Sequence, residues 1–162
     1  LYNATGEISQ VIAVTEKAAE LAPENPTVLI DLAAVLLRYQ RDTVRARELL
    51  QRTRQHAISD AAAPFLKMVE GMLALEEGTT QAAVDQLEES LQMMAPFRNA
   101  TPLYGAIMDR THAYLALAYA KVGDKETAER HYRQAAPRMR ALMADDLLRR
   151  CEQAIGPIYE VA

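Results

Sequence analysis

The chain has 162 residues, half of them hydrophobic, with 18 basic and 22 acidic side chains and a net charge of −4. That balance describes a globular domain large enough for a buried core, and its sign argues against a general nucleic-acid binder. No apolar run approaches the ~20 residues of a membrane span, and the first residues lack the basic-then-apolar pattern of a signal peptide.

Tryptophan is absent, there are only six Gly and seven Pro, and no stretch alternates apolar with polar residues, so an all-α fold is expected. Cys151 is the single cysteine, which excludes an internal disulfide and fits a reducing, cytoplasmic setting. Asn3-Ala4-Thr5 and Asn99-Ala100-Thr101 match a glycosylation acceptor pattern, and both are read as chance matches.

In chain order, a turn at Gly6 followed by a helix over 7–22 opens the pattern, and LAPENP ends it at Pro26. Asn25-Pro26 reads as a cap and a first-turn proline, whose missing N–H costs nothing there. Next come Ile30-x-x-Ala33-Ala34-x-x-Leu37, a turn at Arg41-Asp42, and Ala46-x-x-x-Leu50. Residues three and four apart share a helix face, and a small residue between large ones lets a second helix approach. The following pair is less regular. Lys67 and Glu70 fall where apolar residues are expected, while Phe65, Met68, Val69, Met72 and Leu73 supply an apolar face. Gly71 and Ala74 precede a Gly78 turn, and Ala83-x-x-x-Leu87 follows it.

Thr101-Pro102 opens a long helix, Leu103 to Val122, of about 30 Å at 1.5 Å per residue. Its first part, Tyr104 to Met108, is expected to overhang its neighbours. Within it stands His112-x-x-Leu115-Ala116-x-x-Tyr119, followed by a Gly123-Asp124 turn and Ala128-x-x-x-Tyr132. A last helix from about Met139 to Ala154 carries Leu142, Met143, Leu147 and Cys151 at helical spacing, and Gly156-Pro157 stops it.

The unit at 109–136 resembles the tetratricopeptide repeat, with His112 where that family usually has Trp and Ala116 where it usually has Gly. The resemblance extends to the other hairpins, although Arg41 replaces a turn glycine. It implies a right-handed α-solenoid of antiparallel helix hairpins in one domain spanning 1–162. That domain would hold a half repeat at 1–24, repeats near 26–57, 62–95 and 102–136, and a capping helix near 139–154. Since the chain would begin partway through a repeat, it reads as a piece of a larger protein. The resemblance also implies a groove lined by the first helices, at Asp31, Val35, Arg38, Met68, Met72, Leu75, Arg110, Tyr114, Leu117 and Lys121. Some family members grip a terminal carboxylate there with Lys and Asn. The corresponding positions hold Asp31, Val35, Val69 and Met72, which argues against that ligand.

The expected function is therefore a non-catalytic module that presents a groove to a peptide or protein. A docking domain of a larger enzyme and a self-association domain, giving a homo-oligomer, are the alternatives. No metal-ligand spacing surrounds His56, His112 or His131, and no phosphate loop, nucleophile motif or paired carboxylates appear, so no cofactor or metal is expected. Charges come in blocks: six arginines between Arg38 and Arg54, six carboxylates between Glu70 and Glu89, and six arginines between Arg130 and Arg150. Alternating sign would favour one stacking order, set against the ordinary reading of solvated faces. A basic strip for RNA is poorly supplied with aromatic residues. The excess of arginine over lysine (14 to 4) suggests a bacterial, GC-rich source.

Overall fold

The computed structural model describes residues 2–97, 102–141 and 145–157. Every regular element among them is helical, as composition indicated. These are α1 (Tyr2–Leu21), α2 (Pro26–Tyr39), α3 (Thr43–Thr53), α4 (Ala63–Glu76), α5 (Thr80–Met94), α6 (Pro102–Val122), α7 (Lys125–Ala141) and α8 (Asp145–Ile155). A 3-10 turn at Ala95–Phe97 follows α5.

The starts and stops are chemically explicit. The Asn25 side-chain oxygen accepts hydrogen bonds from the Thr27 and Val28 amides, with Pro26 in the first turn of α2. Asp42 accepts from the Arg45 amide and Asp124 from the Thr127 amide, each at 3.0 Å, which satisfies a donor that the helix start leaves over. The helices before these turns end on left-handed residues: Arg41 at φ 52°, Gly78 at 82° and Gly123 at 88°. The amides of Thr79 and Asp124 then reach back to the carbonyls of Ala74 and Tyr119, closing each turn. Gly6 departs from the expectation. It lies within α1, outside the set of left-handed glycines, because no cap or breaker follows it to stop the helix.

Counted from these left-handed residues, the same packing positions recur. Seven residues before them stand Ala34, Gly71 and Ala116, all buried. Five residues after them stand Ala46, Ala83 and Ala128, each with no exposed surface. Nine after stand Leu50, Leu87 and Tyr132, all buried. A small residue at one crossing and a large one a turn further on is how two helices come close and then fill the gap.

Within the pairs the helices run antiparallel: Gly71 of α4 faces Leu87 and Ala83 of α5, and on α6 and α7 His112 meets His131 while Asp109 meets Arg138. Between pairs, Arg47–Glu77 and Arg54–Glu70 set α3 antiparallel to α4. Arg45–Glu16 and a bond from Arg52 to the Pro23 carbonyl set α3 parallel to α1. One continuous apolar cluster runs from Leu29 to Ile155.

Two further expectations change. Helix α7 does not stop before Met139. It runs through Pro137 to Ala141, with the proline ring exposed and Met139 buried. The last helix therefore starts at Asp145 rather than near Met139, and Leu142 and Met143 lie outside the described residues. The start of α6 also does not overhang alone. The extension of α7 covers it, through Arg138 Nε to Asp109 Oδ2 at 2.9 Å, with the Arg138 guanidinium lying over Gly105.

Candidate functional site

The ten groove candidates divide between core and surface. Met68, Met72, Leu75, Tyr114 and Leu117 are buried, at most 3% exposed. Those five fill the interior, since α4 and α6 are each covered by neighbouring helices, and they leave no side-chain surface for a ligand. Asp31 and Lys121 are exposed, and Val35, Arg38 and Arg110 are half-buried. Lys121 lies at the far end of α6, where its ammonium donates to the Leu75 carbonyl at 3.5 Å.

Tyr114 organises the charged part of this face. Burial pushes its phenol up to about 12, opposed by the positive charges of Arg38, Arg110 and Arg150 and assisted by Glu76. Glu76 is contacted by Arg150 at 2.5 Å and by Arg41 at 4.0 Å. Asp146 of α8 approaches Arg38 at 3.8 Å, and the Arg38 guanidinium stacks 4.9 Å from the centre of the Tyr39 ring. Burial lowers the pKa of Arg110, and the neighbouring charge of Arg38 lowers it further. The cluster thus holds four arginines around two carboxylates. The buried Nε of Arg38 has no hydrogen-bond partner.

Beside this cluster opens a cleft of about 450 Å³. Its apolar lining includes Phe65, Leu103, Ala106 and Ile107, with Asp31 and Arg110 as its charged residues. Partial burial raises the pKa of Asp31. Leu103 is 67% exposed, and next to it Tyr104 stacks on Phe97 at 5.8 Å. Sequence reading placed Phe65 on the apolar face of its helix and did not join it to Leu103 and Ile107 at the start of α6, and it missed that α8 brings Asp146 and Arg150 to this face. The available signal was the third charge block, whose Arg150 pairs with Glu76 of the acidic block, 74 positions away. The first block pairs with the same acidic block through Arg41, Arg47 and Arg54.

A second polar constellation joins α5, α6 and α7. His112 Nδ1 and His131 Nδ1 are 2.8 Å apart, so one ring must donate and the other accept. Tyr119 stacks on His131 at 5.5 Å and donates to Glu88 at 3.1 Å, and His131 Nε2 lies 3.6 Å from the same carboxylate. Burial lowers the pKa of His131. No group of His, Cys, Asp and Glu among the described residues has the arrangement to hold a metal ion. Cys151 is buried against the Ala113 carbonyl, and burial pushes its thiol to about 12. At neutral pH it is a protonated thiol rather than a nucleophile.

No helix among the described residues is long and apolar enough to cross a membrane. No family model, curated protein or solved structure matches the chain.

Proposed function

We propose that this chain is a tetratricopeptide-repeat-like solenoid acting as a non-catalytic module for binding a peptide or protein. The observation that carries the reading is the recurrence of small and large buried residues at fixed offsets from three left-handed turns. Such units complete one another's cores side by side and leave an extended surface for a partner. The cleft between α2, the start of α4 and the first half of α6 supplies that surface. It has an apolar floor and few charges, the make-up expected of a recognition site. The titratable groups elsewhere support a non-catalytic role, because the histidine pair is tied between helices and the thiol is held protonated.

The test is to pan a random octapeptide library against the wild-type chain and the exposed-site variant Leu103→Glu. Peptides that bind the first and fail on the second support the reading. Recovery of none, or of peptides indifferent to Leu103, overturns it.

Self-association is a second reading, favoured by α1, which exposes Val14 at 69% and Leu21 at 76%. Sedimentation of wild type and Val14→Glu decides it. A dimer lost in the variant supports this reading, and a monomer at high concentration excludes it.

A further inference from the structure

We propose that the cleft beside Phe65 recognises a peptide segment in which apolar side chains adjoin a carboxylate, with Arg110 receiving that carboxylate. This rests on the interaction-module reading and specifies its partner.

The argument is charge complementarity at one end of an apolar cleft. Arg110 reaches the cleft from mid-α6, and among the described residues no hydrogen bond or ion pair within 4.0 Å is assigned to it. Its neighbour is another arginine. Arg38 has Asp146 at 3.8 Å, beyond hydrogen-bond reach, and a buried Nε without a partner. Glu76 is already engaged by Arg150 and faces Arg41. Arg110 therefore keeps donors that a carboxylate accepts in the paired geometry arginine favours, while Arg38, outside the cleft lining, adds positive charge behind it.

The remainder of the cleft fixes what else the partner carries. Phe65, Ala106, Ile107 and the exposed Leu103 offer contact to aliphatic or aromatic side chains rather than to more charge. Asp31 lies on the α2 wall and is not ion-paired with Arg110. A carboxylate placed beside Asp31 is repelled, so the two charged residues give the bound segment a direction. The volume of about 450 Å³ falls within the usual range for small binding sites and suits a few side chains. A nucleic-acid strand is disfavoured, because the lining is mostly apolar and offers one arginine opposite Asp31 rather than a basic track.

The experiment uses the whole chain and the same random octapeptide library, with recovered peptides resynthesised with Gln or Lys in place of each acid. Recovered sequences should pair Glu or Asp with Leu, Phe or similar residues. The Gln versions should bind the wild type about tenfold more weakly, or worse, and the loss should disappear in Arg110→Gln. Asp146→Asn removes the competing carboxylate and should tighten the acidic peptides while leaving the Gln versions unchanged. A purely structural role for Arg110 would not produce that gain. Peptides that need Leu103 but show no preference for acid overturn this inference and leave the module reading standing. Recovery of no cleft-dependent peptide overturns both. Displacement of the acidic peptides by a single-stranded oligonucleotide at equal concentration, or a dimer broken by Leu103→Glu, also overturns it by assigning the face to another occupant.

Discussion

Replacing Gly71 by alanine isolates the close approach between α4 and α5. A methyl built on Gly71 lies 2.6 Å from Leu87 Cγ, 2.9 Å from Leu87 Cδ2 and 3.3 Å from the Ala83 carbonyl. Leu87 has no exposed surface, so it cannot swing into solvent to make room. Against that crowding stands the ordinary gain of alanine over glycine in a helix, about 0.5–1 kcal/mol. Overpacking of a tight core costs about 1–3 kcal/mol, and with backbone and a branching carbon as the neighbours the larger effect is steric. The net expectation is a loss of about 1 kcal/mol, or roughly 2–4 °C in melting temperature for a chain of this size. Gly6→Ala is the internal control, because a methyl there meets nothing within 4 Å and should stabilise α1. Leu87→Ala supplies the second arm of a double-mutant cycle. It opens space, so Gly71→Ala should become neutral or stabilising in that background. Melting and urea titrations followed by circular dichroism read all four variants. If Gly71→Ala raises stability as Gly6→Ala does, the assigned closeness of α4 and α5 is incorrect.

Other expectations follow from the same geometry. Leu115→Ala empties a fully buried site and should cost about 2–5 kcal/mol, and Ala116→Leu should cost about 1–3 kcal/mol by overpacking the α6–α7 crossing, both by urea denaturation. Arg41 holds a left-handed conformation that glycine holds at Gly78 and Gly123, so Arg41→Gly should stabilise by a few tenths to about 1 kcal/mol. An equal or larger loss would show that the ion pair with Glu76, 4.0 Å away, outweighs the backbone gain. Burial lowers the folded-state pKa of His131, so the unfolded chain binds its proton more readily. Its contribution is present above the unfolded value near 6.5 and is lost as pH falls from there towards the folded value. The urea midpoint should therefore drop between pH 7 and pH 5, and His131→Asn should flatten that slope.

The hairpins were legible because their signals are local. Asn25, Asp42 and Asp124 cap, Gly78 and Gly123 turn, and the small-then-large spacing around Ala83-Leu87 and Ala128-Tyr132 can be read within a dozen residues. Even the irregular helix resolved as its apolar residues indicated. Met68, Val69 and Met72 are buried, while Lys67 and Glu70 sit at the edge and pair with Glu89 and Arg54. What failed depends on neighbours distant in sequence. Gly6 has a turn residue's identity but no turn's surroundings, and Pro137 is tolerated because its ring faces outward while Met139 beyond it has a core to enter. Which groove candidates are covered depends on distant neighbours in the same way. Which face of α4 remains open depends on where α2, α5 and α6 cover it, and Met68, Met72 and Leu75 lie under those neighbours. The cationic cluster needed α8 to fold back beside Arg38, which no spacing within either segment reports.

The proposed solenoid requires helix pairs that complete one another's cores in series. Hydrogen exchange of the native chain in sub-denaturing urea measures that directly, because stability in such an array passes between adjacent units. The amides of α4, α5 and α6, which have packed neighbours on both sides, should be the last to exchange, with α1 and α8 the first. Equal protection across α1 to α8, or earliest loss in α4 and α5, would contradict it.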